Sequence, residues 1–232
     1  MIYPYQSLDK TFLPPISEII KTWWELVVSG ELISHISASL IRAFSGYAIA
    51  IVYGIPLGML IGWYKGVSDF ISPLIEIFRN TAALALFPLF ILFLGIGEAS
   101  KIAIVVYACS WPILLNTIAG VKNVDTLLIK SAQSMGVSQF TLFRKIILPA
   151  AVPTVFTGVR LAGATSILVL VAAEMIGAKA GLGYLIQYSQ YSFQIKSMYA
   201  GIITISLIGL IINKSLLYVE SRVSSWKPKN NH

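Results

Sequence analysis

The chain has 232 residues, of which 56% are hydrophobic and only 12% charged, with mean hydropathy +0.79. Soluble domains carry about 25% charged residues, so an integral membrane protein is expected. The formal charge of +7 is spread between apolar runs and forms no stripe, which argues against a nucleic acid partner.

Taken in chain order, residues 1–39 read as an interfacial segment. "ISEIIKTWWELVVSGELI" sets Glu18, Lys21, Glu25 and Glu31 beside Trp23 and Trp24 at helical spacing, the pattern of an amphipathic helix lying at the membrane surface. No basic start followed by an apolar run precedes it, so no cleavable signal peptide is expected. His35 and His232 lie far apart, and no metal site is expected. Five runs are long and apolar enough to span a bilayer, at 40–63, 71–94, 99–121, 152–176 and 198–219. The expected fold is therefore an all-α polytopic membrane protein with five spanning helices.

In the first run Gly46, Ala50, Gly54, Gly58 and Gly62 repeat every fourth residue, and Gly158, Ala162 and Ser166 do so in the fourth. Such ladders allow close helix packing, either within the bundle or in an oligomeric pore. Cys109, the one cysteine, lies in the third run, which excludes an intrachain disulfide or thiolate cluster.

Orientation follows from the basic residues. With 122–151 cytoplasmic, Lys65, Lys122, Lys130, Arg144, Lys145, Lys214, Arg222, Lys227 and Lys229 share that side, nine against the five of Lys10, Lys21, Lys101, Lys179 and Lys196. The positive-inside rule favours this arrangement. It leaves the N-terminus outside, which would be more natural behind an upstream spanning helix.

Between the third and fourth runs, "SAQSMGVSQFTLFRKIILPAAVP" is polar, basic and hinged on glycine. Asp125 is suited to cap one short helix and Gly136 to end it in the left-handed conformation; Ser138 is suited to cap a second. Phe140, Phe143 and Ile147 share one face of that second helix. Pro149 is expected to end it, and Pro153 to open the next span.

Charges inside spans need a partner or a watery cavity, and the cases are Arg42, Glu76, Arg79, Arg160 and Glu174. Glu76 and Arg79, three apart near the cytoplasmic end of their span, are suited to pair with each other. Arg160 and Glu174 are about 21 Å apart along one helix and cannot pair within it. Arg79, Arg160 and Glu174 are the candidates for the translocation pathway or a subunit interface, and a cation at Arg160 would suit an anionic substrate.

Gly136, nine residues, Ile146, one residue, Leu148 and Pro149 match the second half of the EAA loop, and the chain resembles the permease subunits of binding-protein-dependent ABC importers on those residues. "LFPLFILFLGIGEASKI", "GVRLAG" and "AAEMIGAKAGLGYLI" resemble the branch with taurine, alkanesulfonate and nitrate permeases. Where the family has Glu-Ala-Ala, this chain has Lys130, Ser131 and Ala132. Where many relatives carry a proline pair after the arginine, "RNTAALALFP" has none, so a smoother helix is expected at 80–83. Relatives also carry a further first span.

The resemblance implies the five-helix core of type I importer permeases (MetI-like), a transmembrane domain over 40–226 and a cytoplasmic tail at 227–232. It implies that 122–151 is the coupling loop, with Lys130, Ser131, Ala132, Gly136, Phe140, Phe143, Ile146, Leu148 and Pro149 facing a separate ATPase subunit. It also implies a homodimer in the bacterial inner membrane, served by an extracytoplasmic substrate-binding protein. A small oxyanion such as taurine, another sulfonate or nitrate is the implied substrate, with a vitamin precursor or aromatic acid as the alternative. The chain contains no G-x-x-x-x-G-K-[ST] phosphate loop, so ATP would be bound by the partner and no cofactor by this chain. An enzyme is not expected, because no clustered catalytic groups occur. An ATP-independent transporter or channel would be expected to show inverted repeats, and none is seen.

Overall fold

The structure, a computed structural model, describes residues 12–223; Lys10, Lys227, Lys229 and the 227–232 tail lie outside them. Helix α1 (Ile16–Val28) is followed by α2 (Glu31–Trp63), α3 (Lys65–Arg79), a 3-10 turn (Ala83–Leu86) and α4 (Phe87–Leu94). Then come α5 (Glu98–Lys122), α6 (Thr126–Ser134), α7 (Gln139–Leu142), α8 (Leu148–Glu174), α9 (Leu182–Tyr191) and α10 (Ile195–Val223). Four helical stretches among the described residues are long and apolar enough to cross a membrane, and α3 with α4 makes a fifth span bent by 86°.

Helix α5 is the central post. The glycine ladder of α2 lies directly on it: a β-carbon at Gly46, Gly58 or Gly62 would come within 2.7, 2.7 and 2.8 Å of the β-carbons of Val105, Thr117 and Val121. The second ladder meets a neighbouring face of α5, with Gly158 against Asn116 and the Cys109 thiol donating to the Ala162 carbonyl at 3.3 Å. Both ladders thus serve packing inside the chain. The contacts also give direction: α2 runs parallel to α5, and α8 antiparallel.

Three expectations are corrected by the helix boundaries. The first spanning helix begins at Glu31, not at 40, because Gly30, at φ +79°, turns the chain sharply out of α1. Helix α1 does more than rest on lipid. The Trp23 indole donates to the Thr204 hydroxyl at 3.0 Å, Glu18 pairs with Lys196 at 2.7 Å, and the exposed row Ile16, Ile20, Trp24 and Val28 is left to the membrane.

The second span breaks at residues 80–82, where a smooth helix was expected. A continuing helix would need the Phe78 carbonyl to accept from Ala82. That carbonyl instead receives the Thr81 amide at 3.1 Å and the Tyr107 hydroxyl at 2.7 Å. Asn80 and Thr81 fold back onto the carbonyls of Glu76 and Ile77, capping the end of α3 with side chains. No proline is needed for this break.

Pro149 does not end the second short helix. Helix α7 passes through a π turn (Phe143–Ile147) straight into α8, with the Leu148 amide bonded to the Phe143 carbonyl. The wider turn comes immediately before the proline, whose missing N–H and ring would otherwise break a tight helix.

Candidate functional site

The segment between α5 and α8 is built as two short helices about a hinge. The Asp125 carboxylate accepts the Leu127 amide at 2.8 Å and starts α6. Gly136 ends it at φ +71°, with its own amide on the Gln133 carbonyl at 3.0 Å and the next amide, of Val137, on Ala132 at 3.2 Å. Ser138 accepts the Thr141 amide at 3.3 Å and starts α7.

Ala132, Leu142 and Ile147 are buried with Val121, Val124, Ala151 and Val155, so the underside of the segment is a small core shared with the ends of α5 and α8. Phe143 packs edge-on against Trp63 at 5.3 Å between ring centroids. Ile146, Leu148 and Pro149 are half-buried on the same side, whereas Lys130, Ser131 and Gly136 are exposed. Phe140 is 73% exposed, whereas Phe143 and Ile147, with which the spacing had grouped it, are half-buried and buried.

Sequence reasoning missed three further exposed apolar residues of this segment. Leu127, Leu128 and Met135 are exposed as Phe140 is, and so are the basic residues Lys130, Arg144 and Lys145. Their periodicity was a usable signal, because apolar side chains on the outer face of a short capped helix have no core of their own to enter. A cavity of about 540 Å³ lies between this segment and the inner end of α2, lined by Pro56, Met59, Leu60, Trp63, Phe140 and Phe143.

At the opposite end of the bundle, Glu174 is fully buried and held by three donors from two elements, α2 and α9. Arg42 donates to it at 2.7 Å, Ser39 at 2.8 Å and the Gly183 amide at 3.0 Å. Arg42 also grips both Glu98 oxygens in a fork and bonds the Ala180 carbonyl at 2.7 Å. His35 accepts the Gly181 amide at 3.1 Å and Ser39 accepts that of Leu182 at 2.9 Å, which pins the chain that enters α9. Glu98 and His35 were not anticipated, although counting from the predicted topology puts residues 39–42, 98 and 174 at one membrane face.

Arg160 pairs with Glu220 of α10 at 2.6 Å, and Thr157 donates to the same carboxylate at 2.8 Å. Glu76 and Arg79, by contrast, do not pair: both are exposed, and among the described residues no ion pair joins them.

A bundle of four long helices and one bent span, with a capped, rigidly seated helical hinge between its third and fourth crossings, is a multi-pass membrane transport component. The model of the family described as "Binding-protein-dependent transport system inner membrane component" matches residues 54–225, and the chain belongs to that family. The taurine transport system permease protein TauC of Escherichia coli (strain K12) is 32% identical over 226 residues, covering 95% of this chain and 82% of that protein. The nitrate import permease protein NrtB of Leptolyngbya laminosa is 31% identical over 215 residues, covering 89% and 77%. A solved structure of the MetNI methionine ABC transporter in inward facing conformations matches with a TM-score of 0.73 at 20% identity, covering 83% of this chain and 95% of that one. The fold is thus that of ABC importer permeases. The chain is the permease subunit of a binding-protein-dependent ABC importer, a multi-pass inner-membrane component with a role in transport.

Proposed function

We propose that two copies of this chain form the translocation pathway, that residues 122–151 couple it to a separate ATPase subunit, and that an extracytoplasmic binding protein delivers a small oxyanion of the sulfonate or nitrate class. The observation that carries the coupling reading is the form of the segment itself. Its inner side is packed on α5, α8 and Trp63, while Leu127, Leu128, Met135 and Phe140 are exposed on the same segment as the exposed Lys130, Arg144 and Lys145. Protein interfaces combine apolar residues with polar ones. Continuous helix from α7 into α8 supplies a stiff path from that interface to the membrane.

Support for the substrate class comes from relatives named for taurine and nitrate transport. The test is reconstitution. The permease, co-expressed with its ATPase chain, is placed in vesicles and supplied with the binding protein and radiolabelled taurine or nitrate. Uptake that requires all three proteins and ATP is expected. Uptake without the ATPase chain would overturn the reading; failure with every sulfonate and inorganic oxyanion would move the substrate to the vitamin-precursor or aromatic-acid class.

A further inference from the structure

Most cations within the spans are answered by the fold. Arg42 faces two carboxylates, Arg160 faces Glu220, and buried Lys101 donates to the Gly97 carbonyl at 3.0 Å. Arg79 is different. It is exposed, and among the described residues it has neither a carboxylate nor a hydrogen-bond partner.

Its depth follows from its neighbour. The Phe78 ring stacks on Trp111 with centroids 6.5 Å apart, and the Phe78 carbonyl receives the Tyr107 hydroxyl. Tyr107 and Trp111 are the tenth and fourteenth of the 25 residues of α5. At 1.5 Å per residue, Tyr107 is about 14 Å from the outer end of that helix and about 22 Å from the inner end. Arg79 therefore lies roughly halfway across, not near the cytoplasmic end as its sequence position implied. An arginine at that depth needs a counter-charge or water.

The backbone beside it makes the same demand. Residues 80–82 leave the helix, and among the described residues the amides of Ala82, Ala83 and Leu84 reach no carbonyl acceptor. Non-helical backbone at membrane depth is tolerated where protein buries it or where it lines a watery cavity. Ala82 and Leu84 are exposed on this chain. Opened amides at the start of a half-helix carry positive partial charge, as Arg79 carries a full one, and broken helices of this kind bind anionic groups near the midplane.

We infer that Arg79 and the opened amides at the bend form an anion-contact point midway along the translocation pathway, where the oxyanion group of the substrate is held in transit. The inference rests on the pathway and oxyanion readings above. Arg79 supplies the charge, and the amides supply directed donors that a sulfonate or nitrate can accept from but an uncharged solute cannot use as well.

The test uses the reconstituted importer with radiolabelled taurine as probe. Arg79→Gln is expected to lower the maximal uptake rate at least tenfold, with the binding-protein concentration for half-saturation unchanged, and Arg79→Lys to retain more than a third of the wild-type rate. Equal uptake by wild type and Arg79→Gln, within twofold, would overturn the inference. So would loss of assembly with the ATPase chain in Arg79→Gln that the exchange Glu76→Arg with Arg79→Glu restores, because that outcome makes Arg79 a partner of Glu76 across the subunit interface. A second arm does not depend on transport. In a Cys109→Ala background with Arg79 in place, Ala82→Cys at the exposed bend should react at least fivefold faster with an anionic methanethiosulfonate than with a cationic one of similar size, added taurine should slow it, and Arg79→Gln should remove the preference. An unreactive thiol, or one that prefers the cationic reagent, overturns the inference. If wild type imports no oxyanion while this labelling pattern holds, the substrate reading has failed and the anion site stands.

Discussion

Phe143 stands edge-on to Trp63, with ring centroids 5.3 Å apart and an interplanar angle of 65°, and this contact joins the π turn to the inner end of the first long helix. An aromatic pair of this geometry contributes about 0.5–1.5 kcal/mol beyond the area it buries. Trp63→Ala should therefore loosen the 122–151 segment, proposed above to couple to the ATPase chain, without unfolding the bundle. Uptake per ATP hydrolysed should fall severalfold in reconstituted vesicles while Trp63→Phe stays near wild type. An unchanged ratio in Trp63→Ala would show that this contact transmits nothing.

Gly136 sits at φ +71° with open space around its α-carbon, so strain, not collision, governs substitution there. A β-branched residue in the left-handed region costs on the order of 1 kcal/mol or more, whereas asparagine tolerates it. Gly136→Val should reduce recovery of the ATPase chain with the purified permease, and Gly136→Asn should reduce it less. Equal recovery for both variants and wild type would separate the hinge from coupling.

Breaking a buried charge pair by removing one partner typically costs about 3–5 kcal/mol, because the other charge is stranded. Arg42→Met should strand Glu174, which has no exposure of its own, and lower the thermal midpoint in detergent more than the double variant Arg42→Met with Glu174→Gln. If the single change is the milder one, the carboxylate is satisfied by Ser39 and the Gly183 amide without the arginine.

A side chain at Gly58 would strike the Thr117 β-carbon, whereas Gly209, on α10, has nothing within 4 Å. Overpacking of a tight contact costs roughly 1–3 kcal/mol. Gly58→Leu should lower stability in detergent and Gly209→Leu should leave it unchanged. Matching thermal midpoints for the two would mean that α2 and α5 separate freely.

Topology is open to thiol labelling in a Cys109→Ala background. Gln139→Cys at the start of α7 should react only from the cytoplasmic side, and Tyr191→Cys, at the exposed end of α9, only from outside. The reverse pattern would invert every spanning helix.

The helices and the hinge were legible because their signals are local. Asp125, Gly136 and Ser138 cap or end short helices through bonds to residues two to five positions away, and each behaves as its chemistry requires. The break after Arg79 was not legible, because the group that claims the Phe78 carbonyl is Tyr107, 29 positions on. Glu76 and Arg79 illustrate the same limit: three residues apart is close enough to pair, but helix spacing alone does not say where either side chain finds water. The Arg42 network joins residues 56 and 132 positions apart and follows from topology only once the helices are known to run side by side.

Gly46, Gly54, Gly58 and Gly62 face Val105, Ile113, Thr117 and Val121, a constant separation of 59 positions along two parallel helices. A pair meshed in that way resists sliding, since a shift of one turn puts side chains where none fit. The bent span between them is anchored at both ends of this rigid frame. Its start is tied to the far end of α5 by Lys122 on the Ser68 hydroxyl at 2.6 Å, and its end runs directly into the beginning of α5. Two stiff arms meeting at 86° with both feet on one rigid helix form a braced triangle: the span between the feet cannot change, so the depth of the elbow is fixed and its one remaining freedom is to swing about the line of α5.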